Sequence, residues 1–287
     1  MSTPSASWVV LSMGDRPREL AAAVESIGRQ ADVEPEVLVV ANGADVPAPS
    51  GAGVLRLADN AGIPAGRNAG VRHTTGDIVF FLDDDACYAD EGLASAVVAA
   101  FAAAPDLGIV SLRLRDPATG RTERRHIPRL GRSDPDRSSD VTTFLGGASA
   151  VRRKVFEDVG GFPDEFFYSH EETDLAWRAL DAGWRIEYRA DLEVLHPAQR
   201  PQRHDEYHRR SSRNRVWLAR RRLPWVVAAI YVAVWSVIST LRSGSPAAAR
   251  DVWRGIGEGL RADPGARVPM RWRTVWRMTM LGRPPII

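Results

Sequence analysis

Three adjacent carboxylates close an apolar run in the segment DIVFFLDDDAC. Asp83, Asp84 and Asp85 follow residues 77–82, whose middle is wholly apolar and reads as a strand buried on both faces. Like charges this close repel and are costly unless a cation or solvent compensates them. On an extended segment residues i and i+2 face the same way, so Asp83 and Asp85 can point at one ligand while Asp84 points elsewhere. Two carboxylates with phosphate oxygens and water match the octahedral, oxygen-rich preference of Mg2+ or Mn2+. A solvated acidic turn, or a cap for the next helix, accounts for the same residues without chemistry.

A second acidic cluster lies in FFYSHEETDLAWR, residues 166–178. Glu171 and Glu172 are adjacent, and Asp174 follows two positions on. A carboxylate at a helix N-terminus is stabilised by the helix dipole, which explains Asp174 as a cap. The chemical alternative is a general base. A carboxylate walled by Phe166, Phe167 and Tyr168 has its pKa raised by desolvation, toward the range in which it can take a proton from an attacking hydroxyl. The segment lacks the second His of a zinc-protease helix, which excludes that reading.

The elements that must position these groups alternate along the chain. Residues 8–12, 36–41, 54–57, 77–82 and 109–114 read as strands; residues 18–29, 64–71 and 93–103 read as helices. This order predicts an α/β fold: a Rossmann-like mixed, mostly parallel sheet with helices on both faces, its ligands at the carboxyl ends of the strands. Residues 115–141 are polar and read as an excursion. Further strands are expected at 143–151, 185–189 and 193–195, and helices at 152–159 and 172–182. The single cysteine, Cys87, excludes an intrachain disulfide and fits a reducing compartment. The first residues lack a basic leader before an apolar run and do not read as a signal peptide.

The net charge of +2 hides an asymmetry. From Pro197 onward there are 18 Arg, no Lys and 5 acids, a net of +13, together with six of the nine tryptophans. An uncharged run at residues 223–241 has basic flanks on both sides. We divide the chain into an acidic catalytic unit, 1–200, and a basic, Trp-rich helical tail, 201–287. Arg and Trp around an apolar run point to a membrane surface and not to nucleic acid. The run is just long enough to span a bilayer, but its basic flanks favour an interfacial helix equally.

The segments WVVLSMGDRP, EVLVVANGAD, LADNAGIPAGRNAGV, IVFFLDDDA, FLGGASAVRRKVFEDVGGFPDEFF, HEETDLAWRALDAGWRI and VLHP occur in this order. Together, from Trp8 to Pro197, they resemble the family 2 inverting glycosyltransferases of the GT-A nucleotide-diphospho-sugar transferase fold. The resemblance implies that Ser12, Gly14, Arg16, Asn42 and Gly43 line the nucleobase and ribose pocket, and that Gly66, Arg67 and Asn68 approach the donor phosphates or ribose. Asn60, Asp84 and Asp174 join the implied substrate-binding set. Asp83 and Asp85 would hold a divalent cation on the diphosphate, with His196 as a further metal contact. Glu172 is the implied base and Glu171 the reserve. Gly146 and Gly147 would let the backbone approach the sugar or acceptor.

Two positions depart from the family pattern. Ala41 stands where an Asp often helps to read the base, and the second acid of the pair is Glu, not Asp. The implied activity is inverting transfer of a sugar from a nucleotide diphosphate donor to the hydroxyl of a glycan or lipid-linked acceptor. It would serve cell-envelope or polysaccharide biosynthesis at the cytoplasmic face of a membrane. Two rivals are a sugar-nucleotide pyrophosphorylase and a non-catalytic, membrane-attached nucleotide-sugar-binding protein. SMGDRP is a poor version of the loop the first requires, and the retained acidic positions argue against the second.

Overall fold

Alternating side chains along the apolar strands build two cores, one on each face of a single sheet. In the computed structural model, which describes residues 4–128, 134–197 and 206–286, nine strands form this sheet. They are β1 (Ala6–Ser12), β2 (Pro35–Asn42), β3 (Gly53–Leu57), β4 (Ile78–Asp83), β5 (Cys87–Tyr88), β6 (Leu107–Arg115), β7 (Ser139–Asp140), β8 (Ala148–Arg152) and β9 (Arg185–Leu195). The order is β3-β2-β1-β4-β8-β6-β9-β5, with β7 on β9. Trp8, Val10, Val39, Phe80 and Leu82 point to the face covered by α1 (Pro17–Gly28) and α3 (Leu93–Ala103). Val9, Val40, Val79 and Phe81 point to the other, covered by α2 (Gly62–Arg72), α4 (Arg153–Val159) and α5 (Glu171–Ala182). This period of two is the pleat made visible in the sequence.

The fold is mixed α/β and, as expected, mostly parallel, since only β8 and the two-residue strands β5 and β7 run against the rest. β3, β2, β1 and β4 are parallel, as is the β6–β9 pair, whereas β8 runs antiparallel to both β4 and β6. Residues 143–147, expected within a strand, form a loop, and β8 starts only at Ala148. The two short strands expected over 185–195 are one strand, β9, with a break in register beside Leu112 and Arg113. The reversed β8 has a consequence for the site. It pairs Leu82 with Ala148, so the carboxyl end of β4 abuts Gly147.

The tail forms α6 (Tyr207–Arg222), α7 (Trp225–Leu241), α8 (Pro246–Arg261) and α9 (Trp272–Met280). Trp217, Leu218, Leu223, Val227, Tyr231, Met270 and Met278 join the same apolar cluster as Val79, Phe81 and Leu175 of the catalytic unit. The expected division at residues 200–201 lies outside the described residues. The uncharged run becomes a helix of 17 residues, and no helix among the described residues is long and apolar enough to cross a membrane.

Candidate active site

Asp83 ends β4, and the chain turns at once. Ala86 donates its N–H to the Asp83 carbonyl at 3.0 Å. Asp83 and Asp85 therefore converge through a turn, not through the alternation of an extended segment. Both carboxylates face His196, which follows β9: its Nε2 lies 3.2 Å from Asp85 and 3.9 Å from Asp83. One ligand atom from each of these three residues lies within 4.8 Å of the others. Carboxylate oxygens with one imidazole nitrogen suit Mn2+ or Mg2+, so the residues present fit the expected cation.

Burial and charge oppose each other around this cluster. Burial pushes the Asp84 carboxyl up to about 6, although Ser12 and Arg16 oppose the rise. Ser12 Oγ donates to it at 2.7 Å, and Arg16 lies 3.1 Å away. Burial alone would also raise Asp85, but the His196 hydrogen bond and charge, with Arg16, hold it below the usual carboxylate range. His196 is raised in turn: burial works against its charged form, and Asp85 and Asp83 outweigh it.

The glutamates stand at the start of α5, and one arginine links them to the aspartates. Arg67 of α2 is buried, with its guanidinium 3.4 Å from Asp83, 3.2 Å from Glu172 and 4.0 Å from Glu171. The triplet and the glutamate pair therefore share one site. Burial, then the neighbouring Glu172 charge, raises Glu171 well above the usual carboxylate range, against the pull of Arg67. The raised carboxyl expected from an aromatic wall thus belongs to Glu171. Its Oε2 is buried with no hydrogen-bond partner.

The loop that presents this pair is strained and held from outside. Phe167, Ser169 and His170 have φ of 63°, 75° and 72°, in the left-handed region that non-glycine residues avoid. Ile63 donates its N–H to the Phe167 carbonyl at 2.8 Å. From the tail, Asn214 Nδ2 reaches the carbonyls of Phe166, Tyr168 and Ser169 at 3.0, 2.8 and 2.9 Å.

A cavity of about 560 Å³ lies over the aspartates. Of the expected substrate and metal positions, Arg16, Asn42, Asn60, Arg67, Asp83, Asp84, Asp85 and His196 line it. Phe167 and Tyr168, expected as an aromatic wall, line it too, whereas sequence reasoning missed Arg210. Arg210 comes from α6 and stacks on Phe167 at 4.4 Å. It belongs to the arginine-rich tail that the sequence assigned to a membrane surface.

Several of the expected substrate positions are held by contacts within the protein. Ser12 is buried beneath Asp84. Gly66 lacks a side chain because Leu11 occupies the place a Cβ would need, and Gly14 is packed against Asp45. Asn68 ties α2 to the segment after α4 through Phe162, by hydrogen bonds of 2.8 and 2.9 Å, and through Asp164. Gly43 has φ +72° and lies against the backbone of Asn60. Asp174 is fully buried between Arg178 and Arg222, 2.7 and 2.6 Å away, and neither caps the helix nor reaches the cavity. Gly146 and Gly147 make room for this protein's own groups: a Cβ at the first would strike Arg67 and Glu172, and at the second the Asp83 carboxylate.

Residues 8–160 match the family described as glycosyl transferase family 2, and residues 127–198 match the N-terminal domain of galactosyltransferase. The pre-mycofactocin glycosyltransferase of Mycobacterium tuberculosis is 32% identical over 151 residues, 50% of this chain and 32% of that protein. From the same organism, N-acetylglucosaminyl-diphospho-decaprenol L-rhamnosyltransferase is 41% identical over 56 residues, 20% of this chain and 18% of that protein. The chain thus aligns with about a third or less of the length of these relatives. Among solved structures, the mannosyltransferase PcManGT from Pyrobaculum calidifontis, in complex with GDP-Man and Mn2+, aligns with a TM-score of 0.55 at 20% identity, covering 98% of this chain and 74% of that one.

Proposed function

The chain belongs to glycosyl transferase family 2, and on that premise we propose that it transfers a sugar, with inversion, from a nucleotide-diphospho-sugar to an acceptor hydroxyl. The observation that carries this reading is the Arg67 guanidinium, which lines the aspartate cavity and bridges the metal-type aspartate Asp83 to the glutamate Glu172 behind it. Asp83, Asp85 and His196 would hold a divalent ion, which when bound would supply Lewis-acid neutralisation of the leaving diphosphate. Arg67, Arg16 and Arg210 offer the cavity three guanidinium groups that can bind phosphate oxygens. Asn42 and Asn60, joined at 3.0 Å, flank the region expected to hold the nucleoside.

Burial and the neighbouring Glu172 charge favour the protonated form of Glu171, and Glu172 is the carboxylate that accepts the proton of the attacking hydroxyl. A diphosphate that draws Arg67 toward itself releases Glu172 from its ion pair. A single displacement, with the acceptor in place of water, inverts the anomeric carbon. The PcManGT complex with GDP-Man and Mn2+ and the lipid-linked substrate in the rhamnosyltransferase's name support a nucleotide-sugar donor and a cell-envelope acceptor.

The tail fits work at the cytoplasmic face of a membrane. Apart from Met13, the large hydrophobic side chains exposed among the described residues all belong to it, including Trp225, Trp253, Trp272 and Trp276. Arg250, Arg254, Arg273 and Arg277 stand on the same helices. An interfacial helix layer, with Trp at the acyl boundary and Arg toward anionic headgroups, accommodates both features.

The test is a panel of UDP-, GDP- and dTDP-sugars with Mn2+, read first as thermal stabilisation and then as transfer or donor hydrolysis. Stabilisation by one donor class and release of its nucleoside diphosphate are expected. Failure of all donors, with turnover of a sugar 1-phosphate and a nucleoside triphosphate instead, would overturn the reading.

A further inference from the structure

A second polar cavity, of about 70 Å³, lies behind the glutamate loop and between the tail helices. Thr142, His170, Arg215, Tyr231, Trp235 and Arg283 contribute to its wall. Three of these residues carry a buried polar atom with no hydrogen-bond partner: Thr142 Oγ1, Arg215 Nε and Trp235 Nε1. Arg and Trp nitrogens can only donate. Arg215 also donates to Ser239 at 2.8 Å and lies 3.8 Å over the Trp235 ring. The groups that act electrostatically on Arg283 are Tyr231 and Arg215, and those on His170 are the two arginines. No carboxylate among the described residues forms an ion pair with either arginine. Two guanidinium groups held together without an anion are costly, and unmet donors add to the cost.

We infer that this cavity binds a small oxyanion of the phosphate class between Arg215 and Arg283. The cavity is large enough for a single tetrahedral group, and guanidinium, hydroxyl and indole donors match its oxygens. The ligand chemistry is shared by free phosphate and by the phosphate of a lipid headgroup, and the tail supplies an approach for either. The site also lies next to the catalytic machinery in sequence. Thr142 precedes the loop that ends at Gly146 and Gly147, and His170 precedes Glu171 and Glu172. An occupant therefore braces both segments that position the reacting carboxylates. This inference does not require the proposed donor chemistry.

The experiment titrates the full chain calorimetrically with inorganic phosphate, and separately with phosphatidylcholine vesicles with and without phosphatidic acid. The variants are Arg283→Gln, Arg283→Lys and, as a control at the catalytic cavity, Arg16→Gln. Arg283→Gln is expected to weaken phosphate-class binding about tenfold or more, the usual worth of a lost charged hydrogen bond, while Arg16→Gln leaves it unchanged. Arg283→Lys keeps the charge and should retain part of the affinity. Because Arg283→Gln removes a repulsive neighbour of Arg215, its melting temperature without phosphate should equal or exceed the wild type. Binding in the inorganic arm identifies free phosphate as sufficient, and binding in the phosphatidic acid arm alone assigns the site to a headgroup. Affinity in both arms unchanged by Arg283→Gln, or abolished by Arg16→Gln alone, would overturn the inference.

Discussion

Replacing Gly147 by Ala tests the core of the site with one methyl group. The Cβ would fall on the Asp83 carboxylate. The backbone has little room to yield, because Asp83 donates its N–H to the Gly147 carbonyl at 3.0 Å and Leu82 is paired with Ala148. Asp83 is 42% exposed, so its side chain can swing toward solvent. That movement takes one ligand away from Asp85 and His196. Overpacking a tight contact costs about 1–3 kcal/mol, so Mn2+ affinity should fall about 5- to 150-fold if the strain is expressed at the metal site. The measurement is a titration of free Mn2+ by electron paramagnetic resonance, which does not depend on turnover. Gly146→Ala is the internal control. Its methyl group strikes Arg67 and Glu172 instead, so it should slow transfer and leave Mn2+ affinity intact. Unchanged Mn2+ binding in Gly147→Ala, in a folded protein, would refute the placement of Asp83 as a ligand.

Three further outcomes are expected. Glu172→Gln should slow transfer by about 100-fold or more with donor binding unchanged, the usual worth of a positioned base; near-wild-type turnover would remove Glu172 from that role. Chelation with excess EDTA should abolish activity and Mn2+ or Mg2+ should restore it, whereas full activity in EDTA would exclude the metal. His170 gives the pH dependence: burial, with the Arg215 and Arg283 charges, keeps its folded-state pKa well below the ordinary value. The unfolded chain alone takes up that proton below about pH 6.5, so stability is retained above this value and falls with acid by at most about 1.4 kcal/mol per pH unit. Urea midpoints from about pH 7.5 to about pH 5.5 should show this loss, and His170→Asn, which tolerates the left-handed backbone, should flatten it; equal slopes in both proteins would contradict the assignment.

What the sequence disclosed depended on whether local pattern or distant packing decides a position. The strand before Asp83 and the apolar runs that become β1, β2 and β4 follow from residues close in the chain, and they were legible. The acidic triplet and the two glutamates could be singled out for the same reason, since their chemistry lies in residue type and adjacency. The direction of β8 could not be read, because antiparallel pairing with β4 is a choice between distant segments. For that reason the two glycines before it were read as facing substrate, when they face Asp83, Arg67 and Glu172. Asp174 was misplaced by a similar route. Its position near a helix start suggested a cap or a contact, but Arg222, 48 residues away, claims its carboxylate. Arg210 and Asn214 were hidden by composition: in a segment so rich in arginine, nothing local separates a residue that faces the cavity from one that faces a membrane.

The Asn214 grip on the loop before Glu171, with the Asp174–Arg222 pair behind it, bears on where this protein can be divided. A fragment ending before Tyr207 would keep all three aspartates, both glutamates and His196, and so look catalytically intact on paper. It would lose the amide that holds the carbonyls of Phe166, Tyr168 and Ser169, and would uncover Phe166, on which Trp217 packs. The four C-terminal helices are thus scaffolding for turnover as well as any anchor, and a minimal soluble enzyme is better sought by substituting the outward tryptophans than by shortening the chain.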